Sequence, residues 1–302
     1  MSKREITLRQ TAIINRLKKS PATLAEIFDY LSRESELLDY KLSTSRRTFQ
    51  RDCQDILSLY NISIACNKAK NEYYLSEQED NSLSNRMLDA FNIFNALNSS
   101  KGMSEYLDFE HLADRGAEHF YALLHAVKNN LQTTIQYQSY WDDQPKERII
   151  EPYFFKEFKN RWYLIANDKH KQQIRTFAFD RIKALDISKK RFSSVAAKKS
   201  RNYFEHSFGI ISQDLNEPLE AVLLSFNAFQ GQYIKSLPLH SSQRIIKDNE
   251  DELLIELLIH PTFDLEMQIL SYAENVKVLA PESLKKSIRK RIKDCYEQYK
   301  ED

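Results

Sequence analysis

The chain has 302 residues, a formal net charge of +1 and 42% hydrophobic residues, which is enough apolar material for packed cores in about two or three domains. Its four glycines stand at positions 102, 116, 209 and 231, so it has neither a Gly-rich phosphate loop nor a dinucleotide-binding fingerprint, and nucleotide hydrolysis of the common kinds is not expected. No apolar run approaches the roughly 18 residues of a membrane span, and the charged start lacks an apolar signal segment. We therefore expect a cytoplasmic protein without membrane contact.

The three cysteines are scattered along the chain. Cys53, Cys66 and Cys295 show no CxxC spacing, which argues against a disulfide framework or a zinc ribbon and favours buried thiols. No residues have the spacing of a catalytic, metal-binding or cofactor-binding set. We therefore predict that the protein is not an enzyme and holds no metal or cofactor.

The small net charge hides a segregation along the chain. Residues 1–76 carry a net charge of +4, residues 77–130 carry −5, residues 131–192 carry +5 and the remainder carries −3. Two basic segments therefore alternate with two acidic ones. The pattern indicates two surfaces that face polyanions, although most surface charges only interact with solvent.

The first basic segment has the element order of a winged helix-turn-helix. Apolar residues recur at helical spacing over 6–19, again after Pro21, and a third time from about Ser43 to Tyr60. Two short strand-like runs, ISIAC and EYYL, follow the third helix. Three helices and a hairpin predict a DNA-binding winged helix-turn-helix domain over residues 1–78.

The third predicted helix begins with charges that disfavour it. Arg46 and Arg47 fall in the first turn, where the helix dipole is already positive, and Arg47 and Arg51 form a like-charged i,i+4 pair. An external polyanion such as duplex DNA would relieve both penalties. The alternative is a solvated basic face that Asp52 and Asp55 partly neutralise. The predicted DNA-binding residues are Ser45, Arg46, Arg47, Gln50 and Arg51.

The acidic segment after this domain predicts helices. Residues 82–98 and 114–129 have helical periodicity, which indicates a helical connector or dimerisation element over residues 79–130. From Gln132 the period changes to two, and short strands joined by tight turns predict a small β-barrel over residues 131–195.

Motifs in these strands resemble the WYL family. RWYLIA contains Trp162, Tyr163 and Leu164, and it is followed by IRTFAFDRI and preceded by IEPY. The resemblance implies an Sm-like barrel that lies behind a winged helix in a bacterial transcription regulator. It also implies a sensor of a ligand that is a nucleotide or a short single strand of nucleic acid in some members. The polar site of the family corresponds here to Tyr137, Ser139, Tyr163, Arg175 and Arg181.

The spacing of the two implied arginines leaves two geometries open. Six residues separate Arg175 from Arg181, so on a straight strand they would share a face about 20 Å apart. Either a bend before Asp180 brings them together, or the ligand is long, as an oligonucleotide is. A structural pairing of Arg181 with Asp180 or a neighbouring carboxylate is the alternative to a binding role. Trp162 and Leu164 lie on the opposite face from Tyr163 and are predicted to be core residues.

The last segment, residues 215–302, has a β-α-β-β-α-β order that predicts a ferredoxin-like α/β unit. Within it, PLHSSQ followed by VKVLAPESL resembles the WCX-type C-terminal extension often found behind WYL domains. A final helix should follow. Its predicted inward positions are Leu284, Ile288, Ile292, Cys295 and Tyr299.

The chain is therefore predicted to be an α+β multidomain protein and a ligand-responsive, homodimeric regulator of transcription. Its predicted partners are a duplex DNA operator and an anionic ligand. The alternative is a nucleic-acid-processing enzyme, a nuclease or nucleotide hydrolase, that uses the barrel as its substrate site. Such an enzyme would need clustered acids and histidines or an activated nucleophile.

Overall fold

The structure is a computed structural model that describes residues 3–38, 40–76, 116–211 and 219–300. These residues form two compact units, one ending at residue 76 and the other starting at residue 116. Across the described ranges there are eight α-helices and several antiparallel sheets, which confirms the α+β class. None of the helices in these ranges is both long and apolar enough to cross a bilayer. The helix predicted over 82–98 lies outside the described residues.

The first unit contains three helices and a small antiparallel sheet. Its elements are α1 (Lys3–Lys19), β1 (Ala22–Thr23), α2 (Leu24–Leu38), α3 (Arg46–Tyr60), β2 (Ile64–Asn67) and β3 (Glu72–Leu75). The sheet has the order β1-β3-β2, and the predicted sequence of three helices and a hairpin is present. The core forms because each helix turns one apolar stripe inward. Ile13, Ile27 and Phe49 are fully buried there.

The second unit begins with a helix packed on a five-stranded sheet. Its first elements are α4 (Phe120–Asn129), β4 (Leu131–Tyr137), β5 (Lys146–Phe158), β6 (Arg161–Asp168), β7 (Gln173–Ala178), β8 (Ile182–Arg191) and α5 (Val195–Glu205). The strand order is β7-β6-β5-β4-β8, with every pair antiparallel. In the described residues β7 and β8 are the two edges of this sheet and are not paired, so the predicted closure into a barrel is not confirmed.

Helix α4 lies within the predicted connector but belongs to this packed layer. Leu123 is fully buried in one core with Leu164, and the Phe120 ring meets the Trp162 ring edge-on at 5.6 Å. The predicted core position of Leu164 is confirmed, while Trp162 is half-buried and packs against this core. The sequence predicts a connector or dimerisation element here. In the structure the apolar face of this helix covers the sheet.

The rest of the second unit has the predicted β-α-β-β-α-β order. Its elements are β9 (Glu220–Asn227), α6 (Ala228–Ser236), β10 (Arg244–Asp248), β11 (Glu252–Ile259), α7 (Phe263–Leu270), β12 (Val276–Ala280) and α8 (Glu282–Tyr299). The antiparallel sheet has the order β10-β11-β9-β12, with its apolar face covered by the helices.

Two predictions about burial are wrong. In α8 only Leu284 and Ile288 are buried, whereas Ile292, Cys295 and Tyr299 are exposed. The apolar positions of this helix repeat at the right spacing, but the described core ends before its last turns. The thiols of Cys66 and Cys295 are also exposed, and only Cys53 is half-buried, where burial raises its pKa to about 12.

A half-buried lysine joins the five-stranded sheet to the end of α5. Lys156 on β5 donates from Nζ to the carbonyl oxygens of Phe204 (2.8 Å) and Ser207 (3.2 Å). Burial lowers the pKa of the Lys156 ammonium from 10.5 to about 8. The folded protein therefore binds this proton less tightly than the unfolded chain does.

We expect the stability of the wild type relative to Lys156→Met to depend on pH. The contribution of the neutral amine is fully present above about pH 10.5 and is lost as pH falls through about 8, because the unfolded chain binds more protons between these values. Thermal denaturation of both proteins from neutral pH to about pH 11 measures the difference in their stability. The contribution of tyrosines that titrate in the same range is common to both proteins and cancels. A difference that stays constant with pH would show that Lys156 is not perturbed.

Candidate functional site

A polar cavity lies beside β7 in the second unit. Its volume is about 350 Å³, within the usual range for small-ligand sites. The wall is formed by side chains of β4, β6 and β7, by the 3-10 turn Phe179–Arg181, and by the chain at Ile210 and Ile211. Four of the five residues implied by the WYL resemblance line it. They are Tyr137, Tyr163, Arg175 and Arg181.

A turn brings the two arginines to one cavity. Strand β7 ends at Ala178, and a 3-10 turn interrupts the extended backbone before β8 begins at Ile182. Arg175 stands on the strand and Arg181 at the end of the turn, so the straight-strand separation does not apply. Of the two geometries left open by the sequence, the structure has the bend.

The guanidinium of Arg181 is not neutralised by a carboxylate. It stacks on the ring of Tyr140, 3.6 Å from the ring centroid. Among the described residues no acidic group lies within 4 Å of it, and its buried Nε–H has no hydrogen-bond acceptor. Asp180, the partner in the structural alternative, lies 3.9 Å from Arg161 instead. A buried donor without an acceptor costs about 1–3 kcal/mol, so this arginine is not placed to stabilise the fold through an ion pair.

Arg175 is only loosely paired. Its Nη1 lies 3.8 Å from Oδ2 of Asp168, and Arg148 reaches the same oxygen at 3.5 Å. The other carboxylate oxygen of Asp168 accepts backbone N–H groups of His170 and Lys171 in the β6–β7 turn. One carboxylate cannot neutralise two guanidinium groups, and the Arg175 side chain is 45% exposed. The cavity therefore keeps a positive charge and free N–H donors.

Both tyrosines of the cavity remain protonated donors at neutral pH. Burial raises the pKa of Tyr137 and of Tyr163 above the usual value for tyrosine, although nearby arginines oppose the shift. The Tyr137 hydroxyl oxygen accepts the backbone N–H of Ala178 at 3.3 Å, which leaves its hydrogen available. Phenol and guanidinium donors together suit a phosphate or carboxylate.

Ser139, the fifth implied residue, lies outside this cavity. Strand β4 ends at Tyr137, and the Ser139 hydroxyl donates to Oδ2 of Asp142 at 2.6 Å within the following turn. The same carboxylate contacts Lys146. These two hydrogen bonds are the main reason that the pKa of Asp142 falls to about 2. The loose pattern of the first strand did not reveal where the strand stops.

The sequence reading missed several residues at the site. Tyr140 supports Arg181, and its hydroxyl accepts from Arg161 at 3.3 Å. The run SYW before the turn and the arginine that precedes the WYL triplet were the available signals. No signal in the sequence pointed to Ile210 or Ile211, which reach the cavity from a distant part of the chain.

A second candidate surface lies on α3 in the first unit. Ser45 is the N-cap of this helix, and its hydroxyl accepts the backbone N–H of Thr48 at 3.2 Å. The remaining predicted DNA-binding side chains are exposed and have no hydrogen bond or ion pair with other described residues. These are Arg46, Arg47, Gln50 and Arg51. They and the helix dipole make the start of α3 positive.

The acids expected to neutralise this face point elsewhere. Asp52 is fully buried and accepts two hydrogen bonds from Arg9 of α1, at 2.7 and 2.9 Å. Asp55 accepts from Gln10, also on α1, at 3.4 Å. The neutralised-face alternative is therefore wrong in its specific form, because both carboxylates are directed to the side of α3 that packs on α1.

We expect Asp52→Asn to destabilise the first unit by about 3–5 kcal/mol, because it removes the buried carboxylate charge that pairs with the Arg9 guanidinium. Hydrogen exchange at the core amides of α1 and α3 measures the loss. Asp55→Asn is the matched control and should cost less than about 1 kcal/mol, since it removes only the charge of a group that accepts one long hydrogen bond from a neutral amide. Equal effects of the two variants would contradict a stabilising Arg9–Asp52 pair.

Within the described ranges no group of three or more His, Cys, Asp or Glu side chains is arranged to hold a metal ion.

Comparisons with known proteins identify two domains in the second unit. The family model of the WYL domain matches residues 118–187, and that of the WCX domain matches residues 218–296. No curated protein matches the chain. The WYL match contains α4, both arginines and the other cavity residues except Ile210 and Ile211.

Two solved structures resemble the chain at low identity. Proteasome accessory factor B/C (PafBC) of Arthrobacter aurescens is 17% identical with a TM-score of 0.37, and the match covers 96% of this chain and 46% of PafBC. A CRISPR Cas-related protein is 14% identical with a TM-score of 0.39, and the match covers 98% of this chain and 86% of that protein. Both TM-scores are too low to support a conclusion about function. The two domain matches show that the chain contains a WYL domain followed by a WCX domain.

Proposed function

We propose that this protein is a ligand-responsive transcription regulator. Its first unit, a winged helix-turn-helix in this proposal, binds duplex DNA, and the WYL cavity binds an anionic ligand. The observation that supports the sensor most strongly is that Arg175 and Arg181 line one cavity while neither has a close ion pair. A regulator of this kind also agrees with the WYL and WCX domain matches.

The ligand class follows from the donors. Two guanidinium groups and two protonated phenols are an arrangement that suits the oxygens of a phosphate, since guanidinium forks pair with them bidentately. The isoleucines at 210 and 211 add an apolar wall on which a base could pack. A nucleotide, or the phosphorylated end of a short single strand, meets both requirements.

The DNA half of the proposal rests on α3. Exposed arginines in its first turns would contact phosphates or base edges if its N-terminal end entered the major groove. Lys68 and Lys70, exposed in the β2–β3 turn, would lie on the neighbouring backbone as the wing. Ser45 contributes as the N-cap that starts the helix.

Ligand occupancy would act through a homodimer. Two winged helices must match the spacing of two half-sites, so a ligand that prefers one arrangement of the dimer changes its affinity for DNA. The effect cannot exceed the difference in ligand affinity between the two arrangements.

The test is DNA binding with and without a probe. A duplex selected from a random library is titrated at several salt concentrations, in the presence and absence of a 5′-phosphorylated oligodeoxythymidylate. If the proposal is correct, the affinity for the duplex falls as the salt concentration rises, and it changes when the probe is added. Binding to neither nucleic acid would refute the proposal, and cleavage of the probe with Mg²⁺ present would favour the enzyme alternative.

A further inference from the structure

We propose that the WCX domain holds one wall of the ligand cavity in place, and that Asp264 is the positioning residue for this wall. This inference rests on the proposed ligand-binding function of the cavity. The WYL sheet supplies the arginines and tyrosines, but the wall at Ile210 and Ile211 belongs to the chain that leaves the WYL domain. A side chain of α7, inside the WCX match, holds that wall in place.

The wall is fixed on both sides by hydrogen bonds. On the sheet side, the Thr176 hydroxyl of β7 donates to the carbonyl oxygen of Ile210 at 2.8 Å. On the other side, a single oxygen of Asp264, Oδ2, accepts the backbone N–H groups of Ile210 at 2.7 Å and Ile211 at 3.0 Å. Thr176 itself lines the cavity, so the same residue contacts both the wall and the space that it encloses.

The neighbouring residues are adapted to this contact. Gly209 has φ +82°, and a Cβ on it would lie 2.2 Å from Oδ2 of Asp264. Thr262, the N-cap of α7, donates its hydroxyl to the carbonyl oxygen of Phe208 at 2.7 Å. Asp264 lies in the first turn of α7, where the helix dipole favours a carboxylate. The carboxylate is thus held between a helix start and a backbone that only glycine suits.

A wall held before the ligand arrives removes an ordering cost from binding. Without Asp264, the chain at Ile210 would adopt the conformation that the ligand contacts only part of the time. The apparent affinity for the ligand would fall in proportion to the population of that conformation. Because binding free energies are coupled reciprocally, a ligand resting on the wall would in turn bias the position of α7 and the WCX domain. The WCX domain would therefore take part in sensing.

The test compares Asp264→Ala with Asp264→Asn in the full chain, using a fluorescent 5′-phosphorylated oligodeoxythymidylate. We expect alanine to weaken probe binding about tenfold, or about 1.4 kcal/mol. Asparagine should bind at least as well as the wild type, because its amide oxygen still accepts both N–H groups. Both variants remove a negative charge near an anion site, so simple electrostatics predicts tighter binding for both. Weakening in the alanine variant alone therefore isolates the positioning role.

Glu266→Ala is the matched control on the same helix. It removes an ion pair with Arg291 at 2.6 Å but no contact with the wall, so probe affinity should not change. Hydrogen exchange at the Ile210 and Ile211 amides provides a readout without probe, and we expect faster exchange only in Asp264→Ala. Wild-type affinity in Asp264→Ala, or unchanged protection of these amides, would overturn the inference. If the wild type binds no probe, the proposed function fails, while the exchange result still decides whether Asp264 holds the wall.

Discussion

Replacing Arg46, Arg47 and Arg51 together by alanine is expected to weaken binding to duplex DNA about a hundredfold or more. The three side chains are exposed on the first turns of α3 and have no partner among the described residues, so each is available to a phosphate or a base edge. Each lost phosphate contact should also lower the slope of log K against log salt by about one. Fluorescence anisotropy at several salt concentrations measures both quantities.

The control must remove the same charge elsewhere. Lys286, Arg289 and Lys293 are exposed on α8 and provide a matched triple substitution. If α3 is the recognition helix, this second variant should bind with nearly wild-type affinity and an unchanged salt slope. Equal losses in the two variants would mean that DNA binding follows net charge and not the α3 surface.

Arg181→Ala is expected to reduce ligand affinity about a hundredfold, or about 2.7 kcal/mol, while DNA binding without ligand is unchanged. The loss is large because Arg181 lines the cavity, has no competing carboxylate in the described residues and stacks on Tyr140, so little has to be reorganised when an anion binds. Titration with the 5′-phosphorylated oligodeoxythymidylate measures the affinity.

Two further variants make this result specific. Arg181→Lys keeps the charge but loses the planar fork, so we expect partial recovery. Arg191→Ala removes an exposed arginine at the end of β8, away from the cavity lining, and should leave affinity unchanged. If Arg181→Ala binds the probe like the wild type, Arg181 does not bind the ligand. If Arg181→Ala unfolds and Arg181→Lys does not bind the probe, Arg181 has an architectural role.

Most of the elements could be predicted from local patterns. Helical periodicity located α1, α2 and α3, and alternation located the strands of the five-stranded sheet, because each of these elements buries one face. The same reasoning failed for the last turns of α8. Ile292 and Tyr299 repeat at core spacing but are exposed, since periodicity shows which face is apolar and not where the core ends.

The candidate site could be predicted only in part. Tyr163, Arg175 and Arg181 could be predicted because they belong to the motifs RWYLIA and IRTFAFDRI, on which the resemblance to the WYL family depends. Ser139 lies outside the cavity because strand β4 ends at Tyr137 and the Ser139 hydroxyl bonds Asp142 in the following turn, and the sequence pattern did not show where this strand ends. The convergence of the arginines depended on a single 3-10 turn, and the wall at Ile210 depended on tertiary contacts.

Native mass spectrometry of the purified full chain tests the central claim most directly. The protein is titrated with the 5′-phosphorylated oligodeoxythymidylate beside a variant carrying both Arg175→Ala and Arg181→Ala. If the anionic ligand binds the guanidinium groups of Arg175 and Arg181, the wild type should gain the mass of one probe per chain. The double variant should show only the mass of the protein. Probe retained equally by both proteins, or by neither, would contradict it.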